Sequence, residues 1–289
     1  MRETDIRPDP DYKAGVRREW TMAAPGWERW FETTEAPGAG RAVTAVLLEQ
    51  ANLKPGDTVL DVGAGYGEPG LSAAAAVGPS GSVTCLDISG DMLGFAERRA
   101  RHAGLTNVTF VEADIESHQL PDDAFDAVLS RAALMYASDP LATLRRLRVV
   151  LRPNGRLAIA VWATPDRVAF SLPVGVMIEM GVIDPPPSGP GPFALGEDGV
   201  LAGLVTAAGF TDVRVDTAVA VYETPSREAC TQWFRDVAPP ITELVADQPA
   251  DVQVQIWELV TEAWAPFSDR NGAVRLPCTA VCVTAANSS

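Results

Sequence analysis

The sequence predicts an α/β fold: a mostly parallel sheet of seven strands, with helices on both faces and a helical cap. Three observations predict it. Short apolar runs alternate with helical periodicity from Leu53 to Trp162. One of those runs, ending at Val62, opens into a glycine-rich stretch that leads into a helix. Two more alternating segments, Phe210–Tyr222 and Gly272–Ala285, follow near the carboxyl end. Alternating β and α units of these lengths build a parallel sheet covered on both faces, and right-handed crossovers fix their winding.

The elements follow in order. Trp20, Trp27 and Trp30 mark an amino-terminal segment, and a helical run covers Gly40–Ala51. Strands are expected at Thr58–Val62, Ser82–Leu86, Val108–Glu112, Phe125–Ser130 and Arg156–Trp162. Helices are expected between them, at Pro69–Val77 with Pro69 suited to the first turn, at Gly90–Ala103 and at Pro140–Leu151. The last sets Leu141, Leu144, Leu147 and Leu151 on one face. Phe170–Met180 reads as an apolar helix, Asp184–Phe193 as a rigid proline-rich loop, and Leu201–Ala208 as a helix ended by Gly209. The insert Thr224–Arg270 carries two amphipathic patterns. One uses Trp233, Phe234, Val237, Ile241 and Leu244; the other uses Ile256, Val260, Trp264 and Phe267. The expected organisation is an amino-terminal helical cover, 1–52, and a core, 53–289, with cap insertions at about 163–198 and 224–270.

The net charge of −15 disfavours nucleic acid and anionic membrane as partners. The arginine groups Arg98, Arg99, Arg101 and Arg145, Arg146, Arg148 lie on helical patterns and read as solvated faces. The polar start MRETDIRPDPDYK lacks the apolar core of a signal peptide, and no apolar run is long enough to span a bilayer. A cytoplasmic protein is expected. The four cysteines form no CxxC pair. Cys278 and Cys282 face the same way on a strand but roughly 13 Å apart, too far for a disulfide. With only two histidines, no metal site is expected.

The chemistry concentrates at VLDVGAGYGEPG, Val59–Gly70. Glycines there let backbone approach a ligand closely, and a glycine loop between strand and helix marks a nucleotide-like cofactor at the sheet's carboxyl edge. Gly65, Gly67 and Gly70 also satisfy the dinucleotide spacing, with Asp87 twenty residues beyond Gly67. Three details weigh against a pyrophosphate. Asp61 stands two residues before the first glycine and would repel phosphate. The loop has no Lys or Arg. Glu112-Ala113-Asp114-Ile115 places a further acid at the sheet edge, better suited to an adenine amine.

Five motifs then occur in series: VLDVGAGYG (Val59–Gly67), LDIS (Leu86–Ser89), EADI (Glu112–Ile115), FDAVLSR (Phe125–Arg131) and LRPNGRLAIAVW (Leu151–Trp162). In this order and spacing the chain resembles the class I S-adenosylmethionine (SAM)-dependent methyltransferases, and more narrowly the small-molecule enzymes related to ubiquinone/menaquinone C-methyltransferases. The resemblance implies a Rossmann-like fold and SAM as cofactor, with S-adenosylhomocysteine as product. It implies that Gly63, Ala64, Gly65 and Gly67 bind the cofactor, with the backbone at Gly63, Ala64 and Gly65 facing the methionine part and Asp61 near the ammonium through water. It implies that Asp87 binds the ribose, Ile88 and Met92 pack on adenine, and Asp114 and the Ile115 N–H bond the adenine edge. Arg131 would border the methionine carboxylate or the reaction centre. Asn154 stands where the family often has glycine and tolerates the same left-handed backbone.

The acceptor side is less explicit. Trp27 and Trp30 either close over cofactor and acceptor or anchor the first helix. Tyr66, with no core to enter, is expected in the cleft. Trp162, Phe170, Met177, Trp233 and Phe234 are the expected pocket lining, suited to a small apolar or aromatic molecule, and the proline-rich loop is a candidate lid edge. Methyl transfer is an in-line displacement that needs alignment and water exclusion and a base only where the acceptor loses a proton. Tyr136 and His118 are the candidate bases. The expected function is O- or C-methylation of a small metabolite by a monomer or homodimer. The alternatives are N-methylation of an amine, a nicotinamide-dependent oxidoreductase, and a SAM-binding protein without activity.

Overall fold

A computed structural model describes residues 10–185 and 189–288. Its centre is one seven-stranded sheet in the order β3-β2-β1-β4-β5-β7-β6. The strands are β1 (Thr58–Val62), β2 (Ser82–Asp87), β3 (Val108–Glu112), β4 (Phe125–Arg131), β5 (Leu151–Trp162), β6 (Thr211–Thr224) and β7 (Val274–Ala286). The first five are parallel. β7 slots between β5 and β6, antiparallel to both. The apolar runs of β1 and β4 are almost wholly buried, as strands covered on both faces must be. The winding reverses between β1 and β4, so their carboxyl ends open a crevice where ligands of such sheets bind.

The helices are α1 (Pro10–Arg29), α2 (Phe31–Thr34), α3 (Gly40–Ala51), α4 (Gly70–Val77), α5 (Gly90–His102), α6 (Pro140–Val150), α7 (Leu172–Glu179), α8 (Val200–Ala207), α9 (Arg227–Val237), α10 (Pro239–Ala246) and α11 (Ala250–Ala263). Local chemistry sets several starts. Ser89, Asp139 and Ser226 cap α5, α6 and α9 by accepting from Met92, Ala142 and Ala229 N–H groups. α3 packs on the β5–β7–β6 half of the sheet, and α1 lies across α5, α9 and α10.

Four expectations need correction. The first amphipathic pattern of the insert is two helices, because Pro239 and Pro240 cannot continue α9 and instead start α10. Pro69 lies just before α4 rather than in its first turn. β5 begins at Leu151, not Arg156: the pairing with β4 jumps from Phe125↔Leu151 to Ala127↔Arg156, so the LRPNG residues bulge out within the strand. Asn154 there has φ 63°, and its N–H donates to the Asn287 carbonyl at 2.6 Å. Lastly, Arg99 is no solvated charge. It donates to the Tyr66 carbonyl at 2.6 Å and to Glu68 at 2.7 Å, and so braces the glycine loop. The four cysteines are buried free thiols, and burial pushes Cys230, Cys278 and Cys282 up to about 12. No helix among the described residues is long and apolar enough to cross a membrane.

Candidate active site

The β1 strand hands directly to the glycine loop. Gly63, Gly65 and Gly67 have φ of 70°, 51° and 104°, a region L side chains avoid. Space is as restrictive at the first of them: a Cβ on Gly63 would lie 2.1 Å from the Ala133 Cβ. At Gly65 a Cβ would meet nothing nearer than the Met92 methyl at 3.7 Å. The Gly63 and Ala64 N–H groups donate to the Leu86 carbonyl, at 2.8 and 3.0 Å. The Gly65 N–H donates to Asp87 Oδ2 at 2.7 Å, and Asp87 Oδ1 accepts from the Ser89 N–H at 2.8 Å. Asp87 thus ties the loop after β1 to the loop after β2. Burial pushes its carboxyl up, and these N–H groups oppose the shift.

Asp61 lies beneath the loop with no exposure. Its Oδ2 accepts from the Gly70 N–H at 2.7 Å, and its Oδ1 is buried with no partner among the described residues. Burial pushes this carboxyl up to about 8, against the Gly70 hydrogen bond and the charge of Arg131. Asp61 does not itself line the cavity; a carboxyl buried beneath the glycine cradle suits a cationic ligand group, which favours its ionised form, and opposes a pyrophosphate.

Gly63, Ala64, Gly65, Asp87, Ile88, Met92, Asp114, Ile115 and Arg131 all line one cavity of about 410 Å³ at the carboxyl ends of β1 and β4. Gly67 does not; it turns the loop against Leu71 and Ala96. The cations on the wall are committed. Lys13 is ion-paired with Glu116 and lies 3.7 Å from Asp114. Buried Arg131 donates to Glu35 Oε1 at 2.6 Å, the Tyr66 hydroxyl at 2.5 Å, the Gly40 carbonyl at 2.6 Å and Thr44 Oγ1 at 2.9 Å. The Tyr66 hydroxyl in turn donates to Glu35 Oε1 at 2.7 Å. Neither cation is spare for a phosphate. The residues therefore fit SAM, with its charged methionine end and adenosine, better than a dinucleotide.

Tyr66 lines the cavity but does find a core. It packs with Ala24, Met92 and Phe95 under α1 and stacks on Trp27 at 5.5 Å. Trp27 is also on the wall. Trp30 is not: its indole N–H donates to Asp236 at 2.8 Å, anchoring the junction of α1 and α2 to α9.

The same cavity continues under the helical segments, where Trp162, Phe170, Trp233 and Phe234 line it. The structure adds Tyr222 of β6, stacked on Trp233 at 5.3 Å. Met177 is a fully buried core residue away from the wall. Of the proline-rich loop, Pro192 and Phe193 reach the wall, and Pro186–Ser188 lie outside the described residues.

Of the candidate bases, Tyr136 lines the cavity and His118 does not. Burial holds the Tyr136 hydroxyl well above its usual range, and Glu19 and Tyr12 reinforce the shift, so it keeps its proton. Glu19 itself was not flagged by the sequence. It lies on the cavity wall and makes no hydrogen bond or salt bridge among the described residues. Burial raises its carboxyl, with Arg18 opposing. The other wall carboxylates are engaged: Glu68 by Arg99 and Ser72, Asp87 by two N–H groups, and Asp114 by the Glu116 N–H. No group of His, Cys, Asp and Glu residues suited to a metal occurs among the described residues.

Comparison with known proteins agrees with this geometry. Residues 53–169 match a family model described as a methyltransferase domain. A ubiquinone/menaquinone biosynthesis C-methyltransferase of Ectopseudomonas mendocina is 35% identical over 129 residues, 44% of this chain and 50% of the relative. An uncharacterized Mycobacterium tuberculosis protein is 32% identical over 228 residues, 76% of this chain and 79% of the relative. The chain spans about half the length of the first of these relatives. In fold it is similar to the YcgJ protein of Bacillus subtilis, with a TM-score of 0.56 and 22% identity over 85% of this chain and 98% of the other. It is also similar to phosphoethanolamine N-methyltransferase 2 of Haemonchus contortus, solved with SAM, at 0.59 and 18% over 96% and 60%. The glycine loop, the acids at the sheet edge and these matches converge: the chain belongs to the class I SAM-dependent methyltransferases.

Proposed function

We propose that the protein transfers a methyl group from SAM to an oxygen or carbon of a small, largely apolar or aromatic metabolite. One observation carries this reading. A single cavity joins the glycine-loop end, walled by Gly63, Gly65, Asp87 and Asp114, to an aromatic chamber walled by Trp162, Phe170, Trp233 and Phe234. A donor and an apolar acceptor can therefore meet without water between them.

When bound, SAM supplies a methyl group on a positively charged sulfur, so the donor is activated before the protein acts. The protein's own contribution is placement. Asp87 and Asp114 hold the ribose and adenine, with Ile88 and Met92 packed on the ring. Asp61 Oδ1 compensates the ammonium through water. Arg131, held by Glu35 and Tyr66, stiffens the wall between loop and α3. Trp27 and Trp20 on α1 exclude solvent.

An oxygen or carbon acceptor gives up a proton as its bond to the methyl carbon forms, and the methyl–sulfur electron pair stays on sulfur. Glu19 is the wall residue suited to take that proton, since its carboxylate is free and burial raises its proton affinity. Tyr136 is left to shape the site. The test is a SAM-consumption screen over phenols, polyketides, quinones and amines, with mass spectrometry locating the new methyl group. Methylation of an aromatic oxygen or carbon supports the reading. Turnover confined to aliphatic amines overturns the acceptor class.

A further inference from the structure

The aromatic chamber holds two polar groups that methyl transfer itself does not use. Trp233 is 3% exposed and Tyr222 5%. Their rings stack at 29°, and both line the cavity. The Trp233 indole nitrogen is buried with no hydrogen-bond partner among the described residues. The Tyr222 hydroxyl likewise makes no hydrogen bond among the described residues, and its ring contacts Trp162 and Trp233.

Two other indoles of the helical cover are satisfied, whereas the Trp27 nitrogen, also of a residue on the cavity wall, is unpaired like that of Trp233 among the described residues. The fully buried Trp264 donates to Thr231 Oγ1 at 3.1 Å, and Trp30 donates to Asp236 at 2.8 Å. A buried donor left unpaired is costly, and native proteins rarely leave one without a reason. Here the unpaired donor belongs to a residue whose ring lines the cavity.

The chemistry of the two groups narrows what they meet. An indole N–H donates and never accepts. The Tyr222 hydroxyl is held above its ordinary range by burial, so it too offers a proton. The complementary atom has lone pairs. It is also uncharged: Arg131 is committed to Glu35 and Lys13 to Glu116, which leaves no spare cation among the described wall residues to offset a carboxylate or phosphate. An ammonium could donate to the Tyr222 hydroxyl but would leave the Trp233 N–H unpaired. The rings of Trp162 and Phe170, edge to face at 5.3 Å, supply a surface for a flat apolar body.

We infer that Trp233 and Tyr222 form a subsite for an uncharged oxygen (a carbonyl, ether or hydroxyl) on a ring-bearing acceptor, and that this subsite selects acceptors in place of any ionic contact. The inference rests on the methyl-transfer reading of the cavity and specifies the acceptor further.

The test uses the full chain with S-adenosylhomocysteine present and four probes on one ring system: 1-indanone, indane, 1-aminoindane and indane-1-carboxylate. Titration calorimetry is expected to show 1-indanone bound about tenfold tighter than the other three, the worth of one or two neutral hydrogen bonds. W233F and Y222F keep the aromatic stack and each remove one donor, so each is expected to cut that preference about threefold. The subsite is overturned if 1-indanone does not bind, if indane or a charged analogue binds as tightly, or if both variants keep the full preference. The titration of S-adenosylhomocysteine alone separates the two readings. Its failure removes the methyl-transfer reading, whereas its success without a preference for 1-indanone removes the subsite only.

Discussion

Arg131 and Glu35 form a buried ion pair, 2.6 Å apart, between the end of β4 and the turn before α3. The Tyr66 hydroxyl bonds both partners, so one cluster fastens the glycine loop, the α2–α3 turn and the central sheet together. Removing one partner of such a pair strands the other charge in low dielectric. Glu35→Ala is expected to destabilise the protein by about 3–5 kcal/mol, read from chemical denaturation. Tyr66→Phe keeps the ion pair and is expected to cost about 1 kcal/mol.

Asp61 gives a pH prediction. Its folded carboxyl is raised by burial to about 8, above its unfolded value, so the native state binds the extra proton between those limits. The stability contribution of this group is fully present below about pH 4 and falls as pH rises towards 8. A cationic ligand group favours the ionised form. SAM binding is therefore expected to release a proton at pH 7 and to tighten as pH rises from 6 to 8. Calorimetry in buffers of different ionisation heat measures the proton directly. Asp61→Asn, which keeps an acceptor for Gly70, is expected to raise the Tm of the free protein at pH 8, to weaken SAM and to abolish the proton release.

Gly63→Ala tests the cradle. The added Cβ would sit 2.1 Å from that of Ala133, at a φ of 70°. Since Ala133 follows β4 directly, relief means separating the two central loops. A loss of about 1–3 kcal/mol is expected, together with a large drop in SAM affinity. A variant that binds SAM normally would show that this close approach is not what shapes the site.

Much of this architecture is legible in the sequence because it is locally encoded. The glycine loop, the acids ending β2 and β3, and the caps of α5 and α6 each depend on neighbours within a few residues. Glu35 and Glu19 are different. Glu35 meets Arg131 across 96 positions, and nothing in the TTEAPG stretch announces a buried acid. Glu19 is one charge among several on α1, and only the packing of that helix turns it to the cavity. Trp30, Met177 and His118 show the converse. Their residue types suit a site, but an ion-tied indole, a filled core and a turn outside the cavity wall take them elsewhere. The α9–α10 break was legible in Pro239-Pro240, and the apolar spacing across it masked the signal.

Glu19→Gln isolates proton removal from binding. The amide keeps the shape of the wall and cannot take a proton. With an acceptor found by screening, kcat is expected to fall about 10²–10⁴-fold, while SAM affinity stays within about threefold, a difference of well under 1.4 kcal/mol. The wild-type pH profile of kcat should rise through a pKa above the ordinary carboxylate range, and the variant should lose that limb. Tyr136→Phe should retain it.

The central claim is that the cavity beneath α1 holds SAM, and titration of the purified protein with SAM, S-adenosylhomocysteine, NADH and NADPH tests it most directly. The account predicts one-to-one binding of SAM and S-adenosylhomocysteine, weakened in Asp61→Asn and Gly63→Ala, with no saturable binding of either nicotinamide dinucleotide. Saturable NADH or NADPH binding without SAM binding would contradict it.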